Sequence, residues 1–276
     1  MRVHPWHNAR DRALIVGLRV ACALVLLFLL VPVLLVIPMG FSADNYLTFP
    51  PPGWSLQYFE RVATDDNWLA SMRNSFTIGI AVTLLATLLG TSAALGIARM
   101  RKRLRGTLLV FCLSPLVMPL VIPAVGLFFM YTELGMTATF AGMVFAHTLL
   151  AAPVVLLVVT ASLQALNPNL ERAAGGLGAP PLTAFTTITL PAIAPGIVTA
   201  ALFAFITSFD EIILALFLAG TRQRTLPVKM FESIQFEVGL STAAVGSLFV
   251  FLAAATLVGA EALRRKGDRR QRVRRA

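Results

Sequence analysis

The chain has 276 residues, of which 57% are hydrophobic and only 13% are charged, with a formal net charge of +10. Soluble domains carry about a quarter of their residues as charged side chains, so this composition excludes an ordinary soluble domain and indicates a polytopic membrane protein. Cys22 and Cys112 both lie within apolar runs, which argues against a disulfide framework or a cysteine metal site.

The first spanning helix is predicted after a polar, basic segment at residues 1–12. Residues 13–40 are too long and too leucine-rich to be a cleavable signal, and no small-x-small cleavage site precedes Pro32, so we expect this helix to be retained. Residues 42–73 are more polar but contain several aromatic side chains, which is typical of a segment at the membrane interface.

Five further apolar runs are each long enough to cross about 30 Å of hydrocarbon. They cover residues 75–98, 107–130, 139–163, 193–219 and 243–263. Together with the first run they predict an all-α membrane protein with six transmembrane helices, built as one domain over residues 13–263.

The positions of lysine and arginine predict the side on which each loop lies. With six crossings, both termini share a side with the 99–105 and 164–192 loops, and these segments hold 17 of the 23 basic residues. Cytoplasmic loops are enriched in Lys and Arg, so we expect both termini and the 164–192 loop to be cytoplasmic. The basic tail, residues 264–276, is interpreted as a topology anchor that contacts anionic lipid, with no specific binding of nucleic acid.

Proline recurs every four residues in the third predicted helix, at Pro115, Pro119 and Pro123. Proline removes a backbone donor, so this helix must be kinked or partly unwound. Carbonyls freed at that depth are tolerated where protein or a water-filled cavity satisfies them, which allows both a structural kink and a break that lines a path. His147, alone on the fourth helix, is predicted to be packed and hydrogen-bonded.

The 164–192 loop contains a long, weakly apolar stretch from Asn167 to Pro191. Asn167 and Asn169 are good N-caps for a short helix, because their side chains accept hydrogen bonds from free backbone amides. Glu171 falls in the first turn, where an acid suits the positive end of the helix dipole.

The rest of this loop predicts a helix with a bare face, a break and a second short segment. Ala174 and Gly178, four residues apart, are expected to share a face without bulk, which lets another protein approach the backbone. Pro180 and Pro181 are predicted to end the helix, and residues 182–190 lead into the next apolar run.

Two adjacent acids, Asp210 and Glu211, lie within the fifth predicted helix with apolar residues on both sides. Each acid costs roughly 2.5–3.5 kcal/mol at the bilayer centre, so lipid-facing positions are unfavourable. Thr207 precedes them by three and four residues, within reach of either. Either the acids cap the helix or pair with a nearby arginine, or they line a polar path with Thr207 and Ser208 that favours cationic, amine-bearing solutes.

The spacing within residues 167–191 resembles the EAA signature of the permease subunits of bacterial ABC importers. It reads Ala173-Ala174, three residues, Gly178, nine residues, and Ile188-Thr189-Leu190-Pro191. The position before the alanines, usually Glu in that family, holds Arg172, and the acid is Glu171. Residues 71–248, with ITSFDEIILALFLAG and RTLPVKMF, are similar to the second permease of the spermidine/putrescine group. Polyamine members often carry an acid at the position of Leu120.

The resemblance implies a type I ABC importer permease-like bundle in the bacterial inner membrane. It also implies three partners: an ATPase dimer at the cytoplasmic loop, a second homologous permease, and an extracytoplasmic solute-binding protein. ATP and Mg would be bound by the ATPase, with no cofactor in this chain. The residues assigned to ATPase coupling are Glu171, Arg172, Ala173, Ala174, Gly178, Ile188, Leu190 and Pro191. The residues assigned to the substrate path are Thr207, Ser208, Asp210, Glu211, Pro119 and Pro123.

The sequence contains no GxxxxGK[ST] phosphate loop and no Ser/His/Asp or Cys/His arrangement in a loop. We therefore expect a permease without catalytic residues, driven by a separate ATPase. One alternative is a secondary transporter or channel that uses Asp210 or Glu211 as a proton or cation site. Another is a scaffold membrane protein without a path, for which both acids would be dispensable.

Overall fold

A computed structural model describes residues 9–46, 48–167, 169–236 and 239–255. Over these ranges helices are joined by turns and loops, with an isolated bridge between Ser42 and Trp54. The helices are α1 (Ala9–Gly40), α2 (Gln57–Thr64), α3 (Asp66–Ala98), α4 (Lys102–Leu113), α5 (Val121–Glu133), α6 (Phe140–Ala165), α7 (Asn169–Gly176), α8 (Pro181–Ala184), α9 (Leu190–Phe209), α10 (Ile213–Leu218), α11 (Leu226–Phe236) and α12 (Leu240–Ala255). Residues 1–8 of the predicted N-terminal segment and the whole 264–276 tail lie outside the described residues.

Four helices of the described chain are long and apolar enough to cross a membrane. They are Ala13–Gly40, α3, α6 and the stretch Pro181–Phe209, and a fifth crossing is added if α4 and α5 form one broken span. α12 is a shorter apolar helix, and residues 256–263 of the predicted sixth run lie outside the described ranges. The all-helical membrane fold is confirmed, whereas six crossings stay a prediction.

Two predicted boundaries differ from those in the structure. α3 begins at Asp66 rather than at residue 75, because an acid in its first turn and the buried Trp68 allow the polar segment to join the helix. The run predicted at 193–219 is divided: Pro181–Phe209 is one helical stretch, and α10 follows after a break.

The third predicted helix is broken at its prolines, which confirms the predicted kink. Pro115 lies in a 3₁₀ turn that follows α4, Pro119 lies between the helices, and Pro123 lies in the first turn of α5, where its missing donor is tolerated. The axes on the two sides of the break differ by 87°.

The described residues fall into two units, one from residues 1–65 with 230–276 and one from residues 66–229. In the first unit, Tyr58 packs with Leu240 and Ala244, and its hydroxyl donates to the Asp44 carbonyl at 2.7 Å. Burial raises the pKa of the Tyr58 hydroxyl, so it stays protonated and remains the donor at neutral pH.

The second unit is built on α3, α6 and α9, which pack against one another. Small residues allow the close approach of these helices. A Cβ placed at Gly90 would lie 2.7 Å from Val155 and 2.8 Å from the Ala152 carbonyl, and a Cβ at Gly196 would clash with Ser162. The α3–α6 and α6–α9 contacts therefore depend on glycine.

We expect Gly90→Ala to destabilise this unit by about 1–3 kcal/mol, because the added methyl group forces α3 away from α6. Gly96→Ala on the same helix is the matched control, since a Cβ there meets nothing within 4 Å. Thermal unfolding in detergent measures the difference. Equal unfolding temperatures for the two variants would show that the close approach of α3 and α6 is not needed.

Candidate functional site

The first candidate surface is the loop that joins α6 to α9. The Asn167 side chain accepts a hydrogen bond from the Asn169 amide at 3.0 Å, so the predicted cap is confirmed for Asn167. Asn169 is instead the first residue of α7. Glu171 lies in the first turn of that helix, as predicted.

α7 ends earlier than predicted, through a left-handed residue rather than at the prolines. Gly178 has φ +87°, the Ala179 amide donates to the Ala174 carbonyl at 3.0 Å, and the Gly178 amide donates to the Gly175 carbonyl at 3.0 Å. These two bonds define a Schellman motif, which favours glycine at the left-handed position. The prediction that Ala174 and Gly178 share a helical face is therefore wrong: Gly178 terminates the helix.

The two prolines start the next helix instead of stopping the previous one. Pro180 is the extended N-cap of α8 and Pro181 is its first residue, where a missing amide is tolerated. A π-helical turn, Phe185–Thr189, then joins α8 to α9 without interruption. Pro191 lies in the first turn of α9 and fits there for the same reason.

A hydrogen bond joins the two arms of the loop. The Thr189 hydroxyl donates to the Glu171 carboxylate, which links α7 to the π turn, and Thr189 is buried. The carboxylate that makes this bond is that of Glu171, one position before the usual Glu of the signature. The usual position holds Arg172, which is exposed. Thr189 was not among the predicted site residues, although it lies within the signature.

We expect Thr189→Val to weaken the attachment of α7 to the π turn, because valine keeps the shape of the side chain but removes the hydroxyl that donates to Glu171. Loss of a hydrogen bond to a charged group corresponds to about 1.5–3 kcal/mol, or a tenfold or larger loss of the ordered loop. Hydrogen exchange of the α7 amides measures this loss. Thr187→Val is the control, since that exposed hydroxyl bonds only to the Thr183 carbonyl. Equal exchange in both variants would contradict a clamp at Thr189.

The loop presents two exposed leucines that the sequence did not single out. Leu177 is 90% exposed at the end of α7, and Leu182 is 74% exposed in α8. Ala173 on α7 is also exposed. Exposed apolar side chains within one short loop make it a candidate surface for a protein contact. Ile188 and Leu190 lie at the base of the same loop, where α8 and the π turn pack together.

The second candidate site is the break between α9 and α10. Asp210 is the exposed C-cap of α9. The Glu211 carboxylate accepts the Leu214 amide of α10 at 2.8 Å, and the side chain is only 8% exposed. Capping, which the sequence left open, is thus observed for Glu211, whereas the Asp210 side chain is exposed.

Thr207 and Ser208 do not turn toward the acids. The Thr207 hydroxyl, which the spacing put within reach of either acid, instead donates to the Phe203 carbonyl at 2.8 Å. Ser208 is buried, and its hydroxyl lies 3.0 Å from Nδ1 of His147 on α6. The packed, hydrogen-bonded state predicted for His147 is confirmed.

α9 has two faces, and Asp210 continues the exposed one. Ala200, Ala204 and Ser208 are buried, whereas Thr199 and Phe203 are exposed on the face that Asp210 extends. The helices that follow the two breaks are neighbours in this unit, because α10 packs against α5. The helix that follows Pro119 and contains Pro123 therefore lies beside the helix that follows the acids.

The segment after α10 is fastened to α3. The Asn74 side-chain amide donates to the carbonyls of Arg222 and Arg224, at 2.9 and 3.0 Å, and the Leu226 amide donates to the Ser75 hydroxyl at 2.8 Å. The start of the RTLPVKMF stretch, shortly after α10, is thus attached to α3. In the described ranges, no group of three or more His, Cys, Asp or Glu residues could hold a metal ion.

Comparison with known proteins gives a consistent result. Residues 86–266, which include the loop and the acids, match the family model "Binding-protein-dependent transport system inner membrane component". The chain is 32% identical over 240 residues to the putrescine transport system permease protein PotI of Escherichia coli strain K12, covering 84% of each protein. It is 26% identical over 246 residues to the spermidine/putrescine transport system permease protein PotC of Haemophilus influenzae, covering 87% of this chain and 93% of that protein.

The fold has a counterpart among solved structures. A chain of a bacterial ABC transporter involved in the import of the acidic polysaccharide alginate superimposes with a TM-score of 0.72. The superposition covers 93% of this chain and 96% of that one, at 18% sequence identity. At this identity the likeness concerns the fold.

Proposed function

This chain belongs to the family of binding-protein-dependent transport system inner membrane components, the permease subunits of ABC importers, and on that premise we propose that it carries a polyamine or another amine-bearing solute into the cytoplasm. As a permease of this family it is a multi-pass inner-membrane protein and not an enzyme. ATP is bound and hydrolysed by a separate ATPase, and a solute-binding protein completes the importer.

The ATPase-docking surface proposed here is the loop from Asn167 to Pro191. Three observations support it: α7 has a fixed C-terminal end, and the hydrogen bond between Glu171 and Thr189 joins α7 to the π turn. In addition, Leu177 and Leu182 are exposed. The residues proposed for coupling are Glu171, Arg172, Ala173, Ala174, Gly178, Ile188, Leu190 and Pro191. Leu177 and Leu182 are the apolar anchors that we add to them.

The proposed topology has six crossings with both termini in the cytoplasm. Four spans, the bent pair α4–α5 and the apolar helix α12 support that number. The excess of Lys and Arg in the 99–105 loop and the terminal segments supports the orientation. In this proposal residues 13–263 form the permease domain, between the 1–12 segment and the 264–276 tail.

The proposed solute path runs past the break after α9. Asp210 supplies an exposed carboxylate at a position where a solute cation could approach, and Glu211 shapes the break by capping α10. Thr207 and Ser208 lie at the end of α9, Pro119 lies in the break before α5, and Pro123 lies in the first turn of α5. Two relatives named for putrescine or spermidine transport support an amine, whereas the alginate transporter shows that the fold alone does not select the cargo.

A second, homologous permease subunit is proposed to face this one. Val198, Leu202 and Ile206 form an exposed apolar stripe on α9, with the four-residue spacing of one helical face. Such a stripe requires a protein or lipid neighbour within the bilayer. A second subunit beside α9 would enclose the path at Asp210, and lipid would cover the remaining outer surface.

The proposed mechanism follows from the continuity of the helix Pro181–Phe209. ATP binding closes the ATPase pair and moves α7 and α8, and the Glu171–Thr189 bond passes this movement to the π turn. The helical stretch from α8 to Asp210 is about 40 Å long at 1.5 Å per residue. One end of this element therefore contacts the ATPase, and the other end carries the acid of the path.

Uptake of labelled putrescine into vesicles that contain the whole importer tests this proposal. We expect uptake to require ATP on the ATPase side and the binding protein on the other side. Uptake driven by a proton gradient without ATP would instead identify a secondary transporter. ATP-dependent import of a sugar, with no uptake of amines, would refute the amine assignment while the ATP-driven mechanism stood.

A further inference from the structure

Two cavities lie along the same three helices of the second unit. The first is an apolar groove of about 720 Å³ between α3, α4 and α6, lined among others by Leu89, Gly90, Cys112 and Pro153. The second is a polar pocket of about 340 Å³ at the loop ends of these helices, lined among others by Arg99, Arg105, Thr160 and Gln164. The two cavities therefore differ in chemistry, one apolar and one polar.

Apart from the Cys112 thiol, the described lining of the groove offers no free hydrogen-bonding side chain to an occupant. Its two hydroxyls are engaged within their own helices: Ser114 donates to the Phe111 carbonyl at 2.7 Å and Thr148 to the Val144 carbonyl at 2.7 Å. The rest of its lining is apolar apart from the Cys112 thiol. A hydrocarbon chain fits such a surface, because it has no polar group to satisfy.

The pocket has the opposite character. Arg99, Arg105 and Glu171 all line it, so its described lining holds two guanidinium groups and one carboxylate, an excess of positive charge. That carboxylate already accepts the Thr189 hydroxyl. The hydroxyl oxygen of Thr160 is buried and has no hydrogen-bond partner in the described chain. An unpaired buried hydroxyl beside two guanidinium groups provides donors for a phosphate oxygen.

The spacing of the two cavities matches a lipid. Gly90 in the groove lies on α3 and Arg99 in the pocket directly follows that helix, about 13 Å further along at 1.5 Å per residue. This distance is close to the ~15 Å hydrocarbon thickness of one leaflet. We propose that one anionic phospholipid occupies both cavities, with its phosphate among Arg99, Arg105 and Thr160 and one acyl chain in the groove. Basic pockets between membrane helices are a known setting for such headgroups.

This site would connect the membrane to the coupling loop. Glu171 and Thr189 line the same pocket, and the Arg99 guanidinium also lies over the Phe185 ring of the π turn, 5.9 Å from its centre. A headgroup bound at Arg99 and Arg105 would steady the elements that hold α7. The assignment does not require the ATPase, the cargo or the orientation proposed above, so it can fail independently of them.

Cys112 gives a direct readout of the groove. In a Cys22→Ser background it is the only cysteine, because the chain has two. The probe is N-ethylmaleimide, applied to the full chain in nanodiscs of phosphatidylcholine with increasing phosphatidylglycerol. We expect Cys112 to react about tenfold more slowly at high phosphatidylglycerol content than in pure phosphatidylcholine, because a site about nine-tenths occupied leaves about one tenth of the thiols accessible.

Matched variants locate the headgroup. Arg105→Gln should raise the phosphatidylglycerol content needed for half-protection of Cys112 about tenfold, because one charge-assisted hydrogen bond to the headgroup is lost. Arg103→Gln, on the same helix but outside the pocket lining, should leave protection unchanged. Equal unfolding temperatures for the two variants exclude a folding defect as the cause. Equal protection in Arg105→Gln and Arg103→Gln would overturn the headgroup assignment.

Two further arms distinguish other occupants. Millimolar inorganic phosphate in pure phosphatidylcholine should not protect Cys112, because a free phosphate carries no acyl chain that its binding could hold in the groove. Protection by phosphate alone would overturn the lipid and leave a free-phosphate site. Protection that ignores lipid composition but requires the sister permease would identify a subunit contact and also overturn the proposal.

Discussion

Gly178→Val is expected to reduce ATP-driven uptake about tenfold or more without unfolding the membrane helices. Gly178 terminates α7 at φ +87°, where an L-residue costs about 1–2 kcal/mol and a β-branched side chain costs more. A Cβ at this position would meet nothing within 4 Å, so the penalty is conformational rather than a clash. The Schellman bonds to Ala174 and Gly175 would be lost, and α7 would no longer present Leu177 to the ATPase in a fixed position. Initial uptake rates and ATPase co-purification measure the effect.

Two substitutions separate this effect from a general loss of helix. Gly178→Asn should retain uptake within about twofold, because asparagine tolerates the left-handed conformation. Gly175→Ala lies inside α7 and should strengthen the helix by about 1 kcal/mol, with coupling intact. If Gly178→Val and Gly178→Asn coupled equally well, the ordered end of α7 would not matter for transport.

Asp210→Asn is expected to lower uptake of a cationic solute at limiting concentration by about ten- to a hundredfold, because an ion pair becomes a neutral contact. Asp210 is the exposed acid at the break after α9, and its side chain is not occupied in capping α10. The loss should be greatest for solutes with two amino groups and smallest for neutral competitors. Concentration-dependent uptake of putrescine and of a mono-amine gives the ranking.

Glu211→Gln provides the matched control, since an amide oxygen can still accept the Leu214 amide. We expect uptake within about threefold of the unmodified chain, whereas Glu211→Ala should destabilise the α10 end by about 1 kcal/mol through loss of the cap. Asp210→Glu should retain most uptake because it keeps the charge. An unchanged solute ranking in Asp210→Asn would remove this acid from the path.

The sequence predicted the features that depend on local chemistry. Asn167 is the cap of α7 because its side chain precedes free amides, and the proline series breaks the third helix because proline cannot donate. Long apolar runs predicted the four spans found in the described residues and the bent pair α4–α5, apart from their ends, whereas the sixth crossing stays a prediction. The sequence did not predict the early start of α3, because Trp68 and Ser71 are buried by tertiary packing, and the polar composition of this segment does not reveal that burial.

The features that the sequence did not predict depend on local backbone bonds or on side-chain contacts between elements. Apolar residues on both sides of Asp210 read as one span, and only the Glu211 cap shows why the helix stops there and restarts. Gly178 had helical spacing from Ala174, yet two local backbone bonds make it the terminator. The Thr189–Glu171 bond joins residues eighteen positions apart, which no helical period predicts.

The most direct test of a coupling surface in the cytoplasm is a single cysteine at Leu177, introduced by Leu177→Cys into a chain lacking Cys22 and Cys112. We expect this cysteine to cross-link to the ATPase in the assembled importer and to resist a membrane-impermeant maleimide added outside intact cells. Labelling of the cysteine from outside would contradict a cytoplasmic coupling surface. So would the absence of a cross-link from a reactive Leu177→Cys thiol in an importer that keeps full ATPase activity.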